Sequence, residues 1–178
     1  GYTHGEQPQG MLAYQERTRV PLRRDMQEDE MQGELRMLAV ERVAREIDRA
    51  VDDKAWALMR SHFTDRVMVA IGAVSGSERI EMTGDEFVAE VAALNPAAKR
   101  SYHVHFNSLV SLHGDRASMS AHSYGWNFCE RFDPPLYEVW GVMDYGLQRE
   151  AGRWRVNLIG MAKWREAGNP AVSAWRGP

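Results

Sequence analysis

His103 and His105 lie two residues apart, and His122 follows in the next alternating stretch. Imidazole titrates near neutrality, so such side chains can take up a proton and return it at working pH. If a two-residue turn at Gly114 and Asp115 joins the two stretches, position 107 lies opposite 122 and position 103 opposite 126. His103, His105, Asn107, His122, Tyr124 and Trp126 then share one sheet face. A single bulge would carry half of them to the other face. Three histidines on one face can also ligate a metal, but that requires convergence and usually a carboxylate. The expectation is therefore acid–base chemistry with no metal and no cofactor. Tyr124, Trp126, Trp140 and Met143 are expected to line an apolar pocket, together with Asn107 as a polar contact. The ten methionines suit such a pocket, because thioether chains adapt to irregular ligands. Trp56 and Trp154 are expected to fill the core. His4, His62 and His113 read as surface residues.

These side chains must be carried by a chain of 178 residues, enough for one domain with its own core. The net charge is −3 with both signs interspersed, and no basic stripe with aromatics appears, which argues against a nucleic-acid partner. No apolar run approaches the roughly 20 residues of a membrane span, so no membrane partner is expected. Cys129 is the only cysteine, so neither an internal disulfide nor a zinc site can be built from cysteines. The polar start lacks a signal-peptide core. Together these point to a cytoplasmic location.

The elements follow from periodicity. Residues 1–30 carry Gly1, Gly5, Pro8, Gly10 and Pro21 and then mixed charges, the pattern of a polar arm. Leu35, Leu38, Val43, Ile47 and Val51 recur at helical spacing, predicting a long amphipathic helix that ends near Asp52. Asp52 or Asp53 can cap a second helix through Trp56, Met59 and Phe63. Val67, Val69 and Ile71 alternate as a strand. Thr83 with Glu86 has capping-box spacing for a third helix through Phe87, Val88 and Val91. From residue 100 the period becomes two, and turn residues divide the rest into a four-strand meander. The tail from residue 169 reads as irregular. The predicted class is α+β: three N-terminal helices packed on a curved antiparallel sheet within residues 31–168.

Several local strings resemble the SnoaL-like, nuclear-transport-factor-two-like superfamily over about residues 35 to 165. They are Ala50 to Trp56, Phe63 to Val67, His103 to Asn107 followed by Gly114 to Ala117, and Gly152 to Val156. The resemblance implies a cone-shaped α+β barrel around an apolar pocket and a homodimer. Within the superfamily, the isomerase members need a carboxylate base after the first strand, where this chain has Ala70, Ile71 and Gly72. The chain most resembles the scytalone-dehydratase-like and polyketide-cyclase-like members, and the dehydratase members are similar to it at three positions. The resemblance implies Asp52 as orienter and His103 and His122 as acid and base, in a lyase, isomerase or cyclase acting on a hydrophobic polycyclic or aromatic molecule. The phenols of those relatives are replaced here by Val51 and by Val69 to Ile71. Another donor must then serve, with Tyr124, Tyr137, Tyr145 and Asn107 as candidates. The same departures leave open a non-catalytic binding or assembly module of the same fold.

Overall fold

A computed structural model describes residues 28–76 and 78–178. The chain divides into two compact units after Gln32, and the described part of the first unit is helical. The expected arm, residues 1–30, therefore lies outside the described residues except for its last three.

Helix α1 runs over Glu28–Asp52. It buries Val40, Val43, Ala44, Ile47 and Val51 on one stripe, and Asp48 lies on that same stripe. Helix α2 spans Trp56–Ser61 and has no side-chain cap. Asp52 therefore does not cap it. The carboxylate is engaged elsewhere. Strand β1 (Phe63–Ala70), a single turn α3 (Gly72–Ser75) and strand β2 (Ile80–Thr83) follow. The capping box of Thr83 and Glu86 is present at the start of α4 (Gly84–Leu94). The meander consists of β3 (Arg100–His113), β4 (Arg116–Phe128), β5 (Leu136–Glu150) and β6 (Arg153–Gly168). The tail is not wholly irregular. Asn169 caps a short helix α5 (Pro170–Ala174), whose Val172 is fully buried.

The six strands form one sheet in the order β2-β1-β6-β5-β4-β3. It is mixed rather than purely antiparallel, because β1 runs parallel to β6. It is also open rather than a closed barrel, since β2 and β3 are its two edges. The main core lies between the helices and one sheet face, here called the inner face. Ile47, Val51, Met59, Phe63, Val67, Phe87, Met143 and Val156 belong to it. Phe63 and Phe87 meet edge to face at 5.1 Å.

Two of the sheet's register shifts decide which of the polar side chains on β3 and β6 reach that inner face. On β3 the pairing with β4 shifts between Phe106 and Leu109, and Asn107 there takes a left-handed φ of 52°. On β6 the pairing with β5 shifts at Trp164: Arg165 faces Trp140 while Lys163 faces Gly141. Opposite this second bulge the backbones close together. A Cβ on Gly141 would overlap the Ala162 carbonyl oxygen, so the position requires glycine.

Candidate active site

The C-terminal end of α1 and the first half of β3 meet at one carboxylate. Asp52 Oδ1 lies 2.7 Å from His103 Nδ1 and accepts from the Ser101 hydroxyl at 2.9 Å. Its Oδ2 accepts from the His103 backbone N–H at 2.9 Å. An ionised carboxylate at this distance accepts a hydrogen bond from Nδ1–H, so the neutral imidazole carries its free lone pair on Nε2. Burial pushes the Asp52 carboxyl up. The hydrogen bonds and charge of His103, helped by Ser101, outweigh burial and hold it below its ordinary value. His103 faces Gly125 on β4, where an added Cβ would stand 3.0 Å from the His103 ring. That bare backbone leaves room for the imidazole.

The free side of His103 lines a cavity of about 710 Å³. Ile71, Val74, Val91, Leu94, Val139 and Met161 supply its apolar walls, while Asn95, Asn127, Tyr137, Lys163, Glu166 and Arg176, the last paired with Glu90, add polar groups. Tyr137 donates to Glu166 Oε2 at 2.6 Å, and Lys163 Nζ donates to the same oxygen. Burial, the bond to Glu166 and its charge push the Tyr137 phenol well up, so it stays protonated. Helix α5 covers one side through Pro170, Ser173 and Ala174. Lys99 holds that helix in place. It is fully buried, and its ammonium donates to Leu94 O at 2.6 Å and Ser173 O at 3.0 Å. Burial lowers the Lys99 pKa to about 8.

A second pair stands one helical turn up α1 and two residues along β3. His105 Nδ1 is 2.6 Å from Asp48 Oδ2, a close charge contact without hydrogen-bond alignment. Its Nε2 is 3.4 Å from the Tyr145 hydroxyl. Only 6% of the His105 side chain is exposed, against 30% for His103. His105 is not among the cavity's lining residues. Burial and the Asp48 charge push the Tyr145 phenol well above its ordinary value.

The structure thus brings Asp52 and His103 together and separates them from His122. The two-residue turn forms as expected, but the Asn107 bulge shifts the register by one. His103 then pairs with Gly125 rather than Trp126, and Phe106 rather than Asn107 pairs with His122. His122, Tyr124 and Trp126 therefore lie on the outer face, opposite the cavity. His122 packs edge-on against Phe106 at 5.6 Å and Trp164 at 5.2 Å, with Asn107 Nδ2 3.3 Å from its Nδ1. Trp126 stacks on Tyr102 at 6.0 Å, and Tyr124 donates to Glu138 at 2.6 Å. Trp140 lies under the Arg165 guanidinium at 5.1 Å. None of Asn107, Tyr124, Trp126 and Trp140 lines the large cavity. Tyr124 and Trp126 line a smaller outer cleft of about 380 Å³. Met143 does face inward, but as part of the packed core. His113 is exposed as expected, whereas only 12% of the His62 side chain is exposed, 3.2 Å from Glu46. His4 lies outside the described residues.

Of the four candidate phenols and amides, Tyr137 is the one that reaches the cavity. Asp48, Asn127, Lys163 and Glu166 were not singled out by sequence reasoning. Asp48 carried a usable signal, four residues before Asp52 and so on the same helical face. Lys163 and Glu166 carried none, because three residues apart in a regular strand means opposite faces. Among the described residues, no three or more His, Cys, Asp or Glu side chains gather as metal ligands. Nor is any helix there long and apolar enough to cross a membrane.

Comparison with known proteins agrees with this architecture. A family model described as the SnoaL-like domain matches residues 35–158. No curated protein matches the chain. Among solved structures, the Kfla4162 protein from Kribbella flavida is 20% identical with a TM-score of 0.70, covering 76% of this chain and 95% of that one. A candidate scytalone dehydratase from Novosphingobium aromaticivorans is 11% identical with a TM-score of 0.67, covering 76% and 88%. A type 2 hexachlorocyclohexane dehydrochlorinase is 9% identical with a TM-score of 0.64, covering 78% and 91%. At these identities the likeness concerns the fold alone.

Proposed function

Because the chain belongs to the SnoaL-like domain family, we propose that it is a cofactor-independent enzyme that moves a proton on a hydrophobic small molecule, as a lyase, isomerase or cyclase. One observation carries this reading: His103, whose Nδ1 is bound to Asp52, lines a cavity of about 710 Å³ walled by both apolar and polar side chains. A cavity of that size accommodates a polycyclic or aromatic ligand. His103 Nε2 acts as the base, taking a proton from an acidic C–H, and Asp52 fixes the tautomer and stabilises the imidazolium that forms. Dehydratase and dehydrochlorinase members share the fold, and both names describe eliminations, which begin or proceed with loss of a C–H proton.

The test is exchange chemistry. The protein is incubated in D2O with a panel of aromatic and polycyclic ketones, and loss of the α-proton signal is followed by NMR. Wild type should accelerate exchange of at least one ketone, and His103→Gln should abolish that acceleration. No acceleration, or equal rates for both proteins, removes the proposal. Ligand binding without exchange would then favour the binding-module reading.

The outer sheet face supports a homodimer. Tyr102 and Phe106 on β3 are nearly half exposed, while Leu109 beside the first bulge and Trp164 at the second are largely exposed. Apolar groups so placed are covered at little cost by a second copy. The single buried thiol, Cys129, is compatible with a cytoplasmic location.

A further inference from the structure

With His122 on the far face, the cavity needs another group to receive the charge that proton abstraction would create. We infer that Lys163, held by Glu166, which Tyr137 holds in turn, is the cavity's anchor for a negatively charged substrate oxygen, so that the substrate is a carbonyl compound with an apolar body. This deepens the proposed proton transfer and rests on it.

Three observations carry the inference. First, the bulge at Trp164 turns Lys163 and Glu166 to the same, inner face, although their spacing would otherwise separate them. Both then line the cavity that His103 lines. Each side chain is about half exposed, so the pair is open to solvent as well as to the cavity, and the bulge with its glycine at position 141 is what sets both on this face. Second, Glu166 Oε2 is shared between the Tyr137 hydroxyl and the Lys163 ammonium. Tyr137 is itself buried, so one end of the network is fixed to the core. Third, an ammonium has three N–H donors. Among the described residues its hydrogen-bond partner is Glu166, which uses one of them and leaves two for a ligand.

The chemistry balances without a co-reactant. His103 Nε2 takes the proton from carbon, and the C–H electron pair moves into the new C=C bond. The carbonyl π pair moves onto oxygen, and that oxygen becomes the anion held by Lys163. A cation already held in place by Glu166 offers that oxygen N–H donors that need little reorganisation as the charge forms. Lys163 is thus a catalytic residue of the proposed reaction, and Glu166 is a positioning residue that acts through it.

A phenol tests this without any turnover, because its ionised oxygen resembles an enolate oxygen. We would titrate 4-nitrophenol with pH in the presence of excess protein and follow the yellow phenolate. In wild type the bound probe should ionise about one pH unit below the free probe, a tenfold preference for the anion. Lys163→Met should bring the midpoint to or above that of the free probe, and Lys163→Arg should keep most of the shift. Glu166→Gln should give an intermediate midpoint. An unshifted midpoint in wild type, a shift that survives Lys163→Met with an unchanged circular dichroism spectrum, or no binding at millimolar probe would each overturn the inference. The two proposals fail separately. Loss of C–H exchange with the shift intact rejects the His103 base and keeps the anchor, and the reverse rejects the anchor and keeps the base.

Discussion

Two histidine–carboxylate pairs stand side by side in this protein, and they differ in almost nothing but their surroundings. Asp48 and Asp52 come from one helix, a turn apart, and His105 and His103 from one strand, two residues apart. Yet Asp52 is held from several sides: the ring, the backbone N–H and the Ser101 hydroxyl all converge on it while the far side of the ring opens to the cavity. Asp48 and His105 are closed in, and the far side of that ring meets Tyr145. A base needs a free lone pair that a substrate can reach, and of these two rings His103 has one. A buried, closed pair instead costs desolvation, and removal of one partner leaves the other buried without its neighbour. Identical residue types thus divide into a pair that borders the cavity and a pair closed off from it.

That contrast can be broken or sharpened. The largest effect is expected for His103→Gln, which should slow α-proton exchange by about 10²- to 10⁴-fold at unchanged secondary structure. His105→Gln should slow it by less than about tenfold. Equal losses in both would make the two pairs functional equals. In urea unfolding the order should reverse. Asp48→Ala should cost about 2–3 kcal/mol, because it leaves the polar edge of a buried imidazole without a neighbour. Asp52→Ala should cost about 1 kcal/mol, since its partner can turn to the open cavity.

A smaller effect should appear in acid. The Asp52 carboxyl lies below its ordinary value of 3.8 when folded, so the unfolded chain binds its proton first as pH falls. The stability it contributes is fully present above about pH 4 and is lost as pH drops through the folded value. Asp52→Asn should therefore flatten the acid limb of stability against pH, and an unchanged limb would show that the carboxylate is not held as described. The smallest effect is expected from the far side of the sheet. His122→Ala should leave exchange unchanged and stability within about 0.5 kcal/mol. Leu109→Asp on the same face should shift the mass measured by light scattering toward the monomer. Loss of exchange in His122→Ala would restore it to the mechanism.

The class of fold was legible in the chain. Helical spacing from Leu35 to Val51, the Thr83–Glu86 capping box and the turn at Gly114 and Asp115 each follow from local chemistry, and each is present. The Asp52–His103 pair was within reach too, through resemblance. The faces were not. Along β3 the apolar alternation of Val104, Phe106, Val110 and Leu112 runs on without a break, yet the first two point outward and the last two pack on the core. The extra residue at Asn107 keeps the parity of the sequence while reversing its direction in space. A period of two carries no sign, so nothing in residue order says where a bulge turns it over.

The same reason hid Lys163 and Glu166, which only the bulge at Trp164 brings to one side. What the sequence by itself determined was which elements form, in what order, and which residue types could do acid–base chemistry. Tertiary pairing alone decided which of those residues meet. Propensities and caps act within a few residues, whereas strand register is set by the packing of whole sheet faces against the helices.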